Sequence, residues 1–233
     1  NDQELLNEYF NQGHYNSEYL TIRSVKAFID GALGSRGAAL HESYCDDQNN
    51  CGLILINKEA FSTLAQNCYK NNFQLNTHAI GDRGNEYVLN HYSHIIGKKN
   101  NRRWRIEHAQ MVSDKDIERF KDFDIIPSMQ PSHCTSDMKW LPERIGNHRL
   151  KLISRWQTFI NAGLKIPGGS DYEGMEYSSK IGIPNSGVSI ELGLKEFGNS
   201  SYDDHWFVNL TYNMSKTNAE KFISDEPYKK VSM

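Results

Sequence analysis

The stretch FQLNTHAIGD, residues 73–82, contains a short apolar run, a histidine and a Gly-Asp turn. Its first part, FQLNT (73–77), predicts a β-strand, and the residues from Asp82 to about Ile96 predict the helix that follows. Burial of a hydrophobic core does not require a histidine between the strand and the turn. His78 is therefore the first candidate functional residue.

The same strand-then-helix unit recurs along the chain. Strands are predicted at residues 22–29, 73–77, 103–108, 125–130 and 164–170, and helices at 57–72, 82–96, 114–122 and 149–162. This alternation favours parallel βαβ units. These strands are too few to close a (β/α)₈ barrel, so the sheet is either open and doubly wound or part of a barrel. Beyond this region, residues 172–187 predict a loop and the end of the chain shows only weak helical patterns.

The composition excludes several classes of protein. With 233 residues, a formal net charge of −3 and a hydrophobic fraction of 38%, the chain resembles an ordinary globular protein. The balanced charge argues against nucleic acid or an anionic membrane surface as the main partner. No apolar run approaches the roughly 20 residues that span a bilayer. The first ten residues do not resemble a signal peptide, and we expect a cytoplasmic location.

Residues that can bind a metal ion stand near the carboxyl ends of the predicted strands. His78, His108 and Asp171 come at or directly after the ends of three strands. Lys26 lies shortly before the end of the first strand, and His133 lies a few residues beyond the fourth. In a parallel barrel these ends open on one face, where active sites are built. Two neutral imidazoles and a carboxylate are suitable ligands for zinc or a similar divalent ion.

Structural roles are the alternative for each of these side chains. A single histidine at a strand end is more often a hydrogen-bonded structural residue than a metal ligand. The same interpretation applies to the remaining histidines, which are His14, His41, His91, His94, His148 and His205. His91 and His94 are expected to be solvated positions on one helix. Glu107 is a candidate for a buried salt bridge with Arg103 or Arg105.

Five segments follow one another in an order that is typical of one group of enzymes. They are VKAFIDGALGSRGAAL (25–40), THAIGDRGNEYVL (77–89), RIEHAQMVSDKDIERF (105–120), PSMQPSHCTSDMKW (127–140) and GGSD (168–171). Together they resemble the amidohydrolase superfamily and, within it, the amidohydrolase family 3 group of metal-dependent hydrolases. The resemblance covers residues 22–171, about two-thirds of the chain. It implies an α/β fold, a partial (β/α)₈ TIM-type barrel in which these segments are strands four to eight.

The resemblance also implies a centre with one or two divalent metal ions, with Zn²⁺ as the first choice. Lys26, His78, His108 and Asp171 occupy the positions of its metal ligands. Lys26 corresponds to a lysine that is carboxylated in binuclear relatives and bridges the two ions. An ammonium group cannot bind a metal, whereas the carbamate formed with CO₂ offers two anionic oxygens. That reaction requires surroundings that disfavour the charged amine.

The catalytic roles follow from the same resemblance. Zn²⁺ lowers the pKa of a bound water to about 7 and polarises the carbonyl of the substrate. Asp171 is the expected catalytic residue, which takes the proton from the attacking water and passes it to the leaving nitrogen. Residues expected on the substrate side are His133, Asp30, Arg36 and Asp82.

The resemblance is incomplete on its amino-terminal side. The first strand of the superfamily carries a His-x-His pair that supplies two further ligands, and this chain contains no His-x-His. We therefore expect a fragment, a single partial barrel domain over residues 1–233 with a matching core at 22–171 and a divergent tail at 172–233. A half-barrel exposes the edges of its outer strands, which predicts a homo-oligomer or pairing with a missing amino-terminal half. The second metal position would lack its histidine pair.

Three functions are weighed on these grounds. The leading hypothesis is a metal-dependent hydrolase that cleaves non-peptide carbon–nitrogen bonds in small amide-type substrates, present here as a fragment. The second is a non-catalytic scaffold or ligand-binding remnant derived from a barrel. The third, an open-sheet nucleotide-binding domain, is disfavoured because no glycine-rich phosphate-binding loop follows any predicted strand.

Overall fold

The computed structural model describes residues 3–169, 171, 177–182, 188–195 and 205–212. The chain divides into two compact units, Asn1–Gly169 and Ser170–Met233. This boundary lies next to the expected start of the divergent tail at residue 172. The single partial barrel domain over the whole chain stays a prediction.

The first unit is built around parallel strands that alternate with helices. Its elements are α1 (Gln3–Gln12), β1 (Tyr15–Asn16), β2 (Thr21–Ile22), β3 (Ser24–Phe28), α2 (Lys58–Lys70), β4 (Gln74–Ala79), α3 (Asp82–Ile96), β5 (Arg105–His108), α4 (Asp114–Asp122), β6 (Ile126–Ser128), α5 (Pro131–Asp137), α6 (Leu141–Ile145), a 3₁₀ helix (Asn147–Leu152) and α7 (Trp156–Asn161). Strands β3, β4, β5 and β6 are neighbours in that order, and each pair is parallel. The predicted α/β fold with parallel strands is confirmed as a four-stranded sheet.

The register of this sheet places the candidate residues at the ends of neighbouring strands. Phe28 of β3 is opposite His78 of β4, and His78 is opposite Glu107 of β5. His108 is the last residue of β5. Because the strands run in the same direction, their carboxyl ends meet at one edge of the sheet, where open α/β sheets bind ligands.

The predicted strand at residues 164–170 is reduced to a short pairing beside β6. Met129 and Gly168 form a single parallel bridge. The N–H of Met129 donates to the carbonyl of Pro167 over 3.0 Å, and the N–H of Gly169 donates to the carbonyl of Met129 over 3.1 Å. Pro167 has no N–H, so a continuous hydrogen-bond ladder cannot run through this segment. The predicted length of this strand was therefore wrong.

One side of α3 packs against the sheet. Val88, Leu89, Tyr92 and Ile96 are buried at helical spacing, and the helix has its predicted bounds. The hydroxyl of Tyr92 lies 2.6 Å from Oγ1 of Thr77, which satisfies both groups inside the core. The packing of α3 on β4 positions the turn that joins them, and this turn follows His78.

The two faces of β3 differ in exposure. Ala27 is buried beneath the helices, whereas Ser24, Lys26 and Phe28 on the other face are exposed. The side chain of Phe28 is 52% exposed, which is unusual for a large apolar residue next to a candidate site. Lys26 and Phe28 therefore line the same open face of the sheet.

The predicted helix at residues 149–162 is interrupted. A 3₁₀ helix ends at Leu152 and α7 begins at Trp156. Between them Ile153 is extended, and Ser154 has a left-handed backbone with φ of +48°. The N–H of Ser154 donates to the carbonyl of Gln110 over 2.7 Å, so a tertiary contact takes the place of a helical hydrogen bond. A helical periodicity in the sequence does not reveal such a break.

Three helices of the first unit were not predicted, namely α1, α5 and α6. Both α5 and α6 carry proline in their first turn, a position that favours helix initiation. They are short, and their apolar pattern is too brief to indicate a helix. Among the described helices, none has the combination of length and apolar character needed to cross a lipid bilayer.

His91 corrects a further expectation. It is only 7% exposed rather than solvated. Its Nδ1 lies 2.7 Å from the carbonyl oxygen of Tyr87, and its ring packs edge-on against Phe61 at 5.1 Å. His91 faces α2, so it belongs to the packing between helices rather than to their surface.

The second unit contains an antiparallel sheet. Strands β7 (Tyr177–Gly182), β8 (Val188–Lys195) and β9 (His205–Tyr212) pair in sequence order. The predictions of a loop at 177–182 and of helical segments near the chain end are therefore wrong in these ranges. The sequence of β8, VSIELGLK, alternates apolar and other residues with the period of a strand. The rest of the tail lies outside the described residues.

Candidate active site

His78 stands near the end of β4 with its side chain 12% exposed. Its ring lies 5.4 Å from the ring of Phe28, the residue opposite it in the sheet. Its Nε2 lies 3.5 Å from Oδ1 of Asp30 and 3.5 Å from the carbonyl oxygen of Gly31. The imidazole is therefore held between the ends of β3 and β5.

His108 reaches the same place through an unusual backbone. Regular alternation along β5 would turn His108 to the face of its register partner Ala79, away from His78. Instead φ is +73° at His108 and +41° at Ala109, values that residues with a side chain rarely adopt. The rings of His78 and His108 lie 4.5 Å apart in an edge-on contact. Residues held in this backbone region cluster at functional sites.

His133 extends this pair to three imidazoles. It lies on α5, and its ring stacks on that of His108 at 5.6 Å with an angle of 5° between the planes. The amide of Gln110, in the loop after β5, donates to the carboxylate of Asp137, the last residue of α5, over 2.7 Å. This bond holds the helix that presents His133.

Burial and charge keep His108 neutral. Burial lowers the pKa of His108 from 6.5 to about 3, and electrostatic repulsion between a protonated His108 and the neighbouring His78, His133 and Lys26 acts in the same direction. A hydrogen bond with the side chain of Gln130 opposes this shift. At neutral pH the imidazole of His108 therefore carries a lone pair, which is the form that binds metal ions.

Lys26 lies on the exposed face of β3. Its Nζ is 4.9 Å from the centre of the Phe28 ring, and Phe28 in turn contacts His78. The side chain of Lys26 is exposed. A carbamate forms from the neutral amine, and burial favours the neutral amine over the charged ammonium. An exposed lysine lacks this contribution. Carboxylation of Lys26 stays a prediction.

Asp171 belongs to the second unit and is exposed. Its backbone has φ of +50°, which is uncommon for a residue other than glycine. The predicted roles of Asp171 as metal ligand and proton acceptor rest on the resemblance of the GGSD segment and stay predictions.

Asp30 is fully enclosed behind His78. Its carboxylate accepts hydrogen bonds from three backbone N–H groups, those of Ala39 and Gly81 over 2.9 Å each and that of Ile80 over 3.0 Å. The side chain has no exposed surface. Direct contact between Asp30 and a substrate stays a prediction, while its bonds to the backbone are explicit.

Arg36 and Asp82 both form hydrogen bonds that stabilise the loop after β3. The guanidinium of Arg36 donates to both carboxylate oxygens of Asp46, over 3.1 and 2.9 Å, and Arg144 of α6 contacts the same carboxylate. The hydrogen bond from Arg36 holds the pKa of Asp46 below its usual range. Oδ1 of Asp82 accepts the N–H of His41 over 3.0 Å. A role of either residue in substrate binding stays a prediction.

Asn85 is a buried residue of the site that the sequence did not reveal. It lies in the first turns of α3 with no exposed surface. Its Nδ2 lies within 3.3 Å of the carbonyl oxygens of Ala79, Ile80 and Gly81, and 3.1 Å from that of Met111. The amide therefore joins the loops that follow β4 and β5. The sequence feature that could have revealed Asn85 is a polar residue on the apolar side of a predicted amphipathic helix.

Two imidazoles, which are donor groups that zinc binds, lie next to each other at the strand ends. Within residues 3–169 and the other described ranges, no three His, Cys, Asp or Glu side chains form a group suited to a metal ion. His78 and His108 are nevertheless adjacent imidazoles, and His108 is held in the neutral form. This pair fits two ligand positions of zinc or a similar divalent ion.

Comparison with curated proteins identifies two relatives. The chain is 35% identical over 171 residues to Protein LONG AFTER FAR-RED 3 of Arabidopsis thaliana, which covers 72% of this chain and 29% of that protein. It is 36% identical over 156 residues to the putative amidohydrolase YtcJ of Bacillus subtilis (strain 168), which covers 66% of this chain and 29% of that protein. The chain thus spans less than a third of the length of each of these relatives.

A solved structure shares the fold of the matched region. An uncharacterized metal-dependent hydrolase from Pyrococcus furiosus superposes with a TM-score of 0.66 at 30% sequence identity. The match covers 72% of this chain and 35% of the other one. The model of the amidohydrolase family matches residues 1–180, which include both strand-end histidines. The chain, whose five ordered segments predicted this relationship, belongs to the amidohydrolase family.

Proposed function

We propose that this chain forms the metal-binding part of a hydrolase that cleaves non-peptide carbon–nitrogen bonds in small amide-type substrates. The observation that carries the proposal is the contact between His78 and His108 at 4.5 Å. Their strands lie side by side, and the chain belongs to a family whose relatives include a metal-dependent hydrolase. The sheet would be a segment of a (β/α)₈ barrel.

His78 and His108 would hold the ion, with Lys26 and Asp171 as further ligands. Zinc is the best match to imidazole and carboxylate ligands, and one or two ions would occupy the intact site. When bound, the ion would lower the pKa of a coordinated water and polarise the carbonyl of the substrate. The neutral state of His108 supports this assignment because a protonated imidazole cannot bind a cation.

The remaining residues would act on the proton and the substrate. Asp171 would accept the proton of the attacking water and then deliver it to the leaving nitrogen. His133 would donate a hydrogen bond to the substrate from its position beside His108. Arg36 and Asp82 would shape the substrate side, since they fix the loop that follows β3.

The proposal is tested on the full chain by zinc analysis and turnover in parallel. We expect zinc to bind and the loaded protein to hydrolyse a simple N-formyl or N-acyl amine, alone or together with the amino-terminal half that the resemblance implies. Dialysis against a chelator should remove both properties, and zinc should restore them. If neither the chain alone nor the chain together with that amino-terminal half binds zinc, the proposal is overturned and a non-catalytic scaffold is supported instead.

A further inference from the structure

Backbone groups of the turn that follows His78 lie within hydrogen-bond distance of two buried side chains, Asp30 and Asn85. The carboxylate of Asp30 accepts the N–H groups of Ile80 and Gly81. The amide of Asn85 faces the carbonyl oxygens of the same turn, at 3.3 Å from that of Ile80 and 2.9 Å from that of Gly81. The turn is thus bonded both to an acceptor, the Asp30 carboxylate, and to a donor, the Asn85 amide.

Each of the two side chains also reaches a neighbouring loop. Asp30, two residues after the end of β3, accepts the N–H of Ala39 over 2.9 Å. Asn85 lies 3.1 Å from the carbonyl oxygen of Met111, three residues after His108. An amide has only two N–H groups, so Asn85 shares them among several carbonyls of both loops. Asp30 therefore couples the ends of β3 and β4, and Asn85 couples the ends of β4 and β5.

Space around Asp30 is restricted by the start of α3. A Cβ atom added at Gly84 would lie 2.4 Å from Oδ2 of Asp30 and 2.9 Å from its Cγ. All of the nearest atoms to that position belong to Asp30, so glycine is required there for the carboxylate to keep its place. The side chains of Asp30 and Asn85 both lack exposed surface.

We infer that Asp30 and Asn85 are positioning residues that hold the imidazoles of His78 and His108 in contact. Asp30 touches His78 directly at 3.5 Å, whereas Asn85 acts through the backbone on both sides of the pair. This inference rests on the proposed function for its consequence, which is tight metal binding. Residues that orient metal ligands typically contribute roughly 10–100-fold to metal affinity.

The first test measures the two rings in the metal-free full chain. Ring signals of His78 and His108 are assigned by nuclear magnetic resonance, and the ring-to-ring contact is detected as an Overhauser effect. We expect the effect in the wild type and its loss in Asn85→Ala and Asp30→Asn. Tyr92→Phe is the matched control, because it removes a buried hydrogen bond of β4 that involves neither the turn nor Asp30 or Asn85, and it should keep the effect.

A second measurement follows zinc affinity by competition with a chromophoric chelator. We expect affinities roughly 10–100-fold weaker in Asn85→Ala and Asp30→Asn than in Tyr92→Phe. If circular dichroism shows that either variant does not fold, Gly84→Ala takes its place in both tests. This substitution displaces the Asp30 carboxylate without removing a hydrogen-bonding group. Gly84→Ala should weaken both the ring contact and zinc binding.

The outcomes separate this inference from the proposed function. Retention of the ring contact in the folded turn variants, or its absence from the wild type, would overturn the inference. Unchanged zinc affinity in those variants, with zinc bound by the wild type, would also overturn it and leave the proposed function intact. If the wild type binds no zinc, the proposed function fails, and the ring contact alone decides the inference.

Discussion

The imidazole rings of His78 and His108 lie 4.5 Å apart, although regular strand geometry would point them to opposite faces of the sheet. The left-handed backbone at His108 turns its ring back toward His78. This conformation costs about 1–2 kcal/mol for a residue with a side chain, so the surrounding hydrogen bonds must hold it in place.

Replacement of either histidine should abolish zinc binding. His78→Ala and His108→Ala each remove one of two adjacent ligands, so the loss should exceed the roughly 10–100-fold typical of residues that only orient a ligand. Metal content after dialysis and competition titration measure the effect. His94→Ala, an exposed position on α3, is the control and should bind like the wild type. Equal zinc content in all four proteins would contradict the assignment.

The stability of the metal-free protein should decrease in mild acid because of His108. The pKa of His108 in the folded protein, about 3, lies below the ordinary value of 6.5. Between these pH values His108 is therefore protonated in the unfolded chain and neutral in the folded protein. The stabilisation present above pH 6.5 is thus lost as the pH falls toward 3, by about 2 kcal/mol at pH 5. Urea unfolding at pH 7 and pH 5 measures the difference, and His108→Gln should reduce it. Titration of the His108 ring near pH 6.5 would contradict this prediction.

Carboxylation of Lys26 can be detected directly. If the amine forms a carbamate when metal binds, labelled bicarbonate should give a carbamate carbon signal in the zinc-loaded protein and tighter zinc binding. Lys26→Arg should lack the signal because a guanidinium does not form the bridging carbamate, while Lys139→Arg should retain it. Full zinc affinity in a bicarbonate-free buffer would argue that Lys26 contributes to the site in another way.

His133 should affect the substrate more than the metal. Loss of one hydrogen bond to a substrate costs about 1–3 kcal/mol, so His133→Ala should lower kcat/KM roughly 10–100-fold in the zinc-loaded active protein. Zinc affinity should stay unchanged, as it should for the neighbouring control Cys134→Ala. A parallel fall in zinc affinity would instead identify His133 as a metal ligand.

Arg149 should be important for stability rather than for chemistry. Its guanidinium is 5% exposed and donates to the carbonyl oxygens of Ile145, Glu42 and Ser43 over 2.5, 3.0 and 2.8 Å. Arg149→Met should leave these acceptors without their partner and lower the free energy of unfolding by about 2–4 kcal/mol. Urea unfolding measures this change. The exposed Lys151→Met is the control, and an equal effect of both substitutions would contradict the prediction.

Much of the fold could be read from local patterns. The bounds of α3 and α4 agree with their predicted ranges, and the parallel strands lie near the predicted segments. These elements carry apolar stripes at helical spacing or the apolar runs typical of strands. Such patterns depend only on residues that are close together in the chain. The break at Ser154 and the strands of the second unit were missed, the former because a distant carbonyl of Gln110 decides it.

The candidate site shows the same division. The sequence by itself determined the family, the parallel βα order and the presence of His78 and His108 at strand ends. Only the tertiary structure decided that His108 turns toward His78, that Asp30 binds the backbone of Ile80 fifty positions away, and that Asn85 joins two loops. The physical reason is that periodicity records which face of an element is buried, whereas hydrogen bonds between distant loops depend on how those elements pack together.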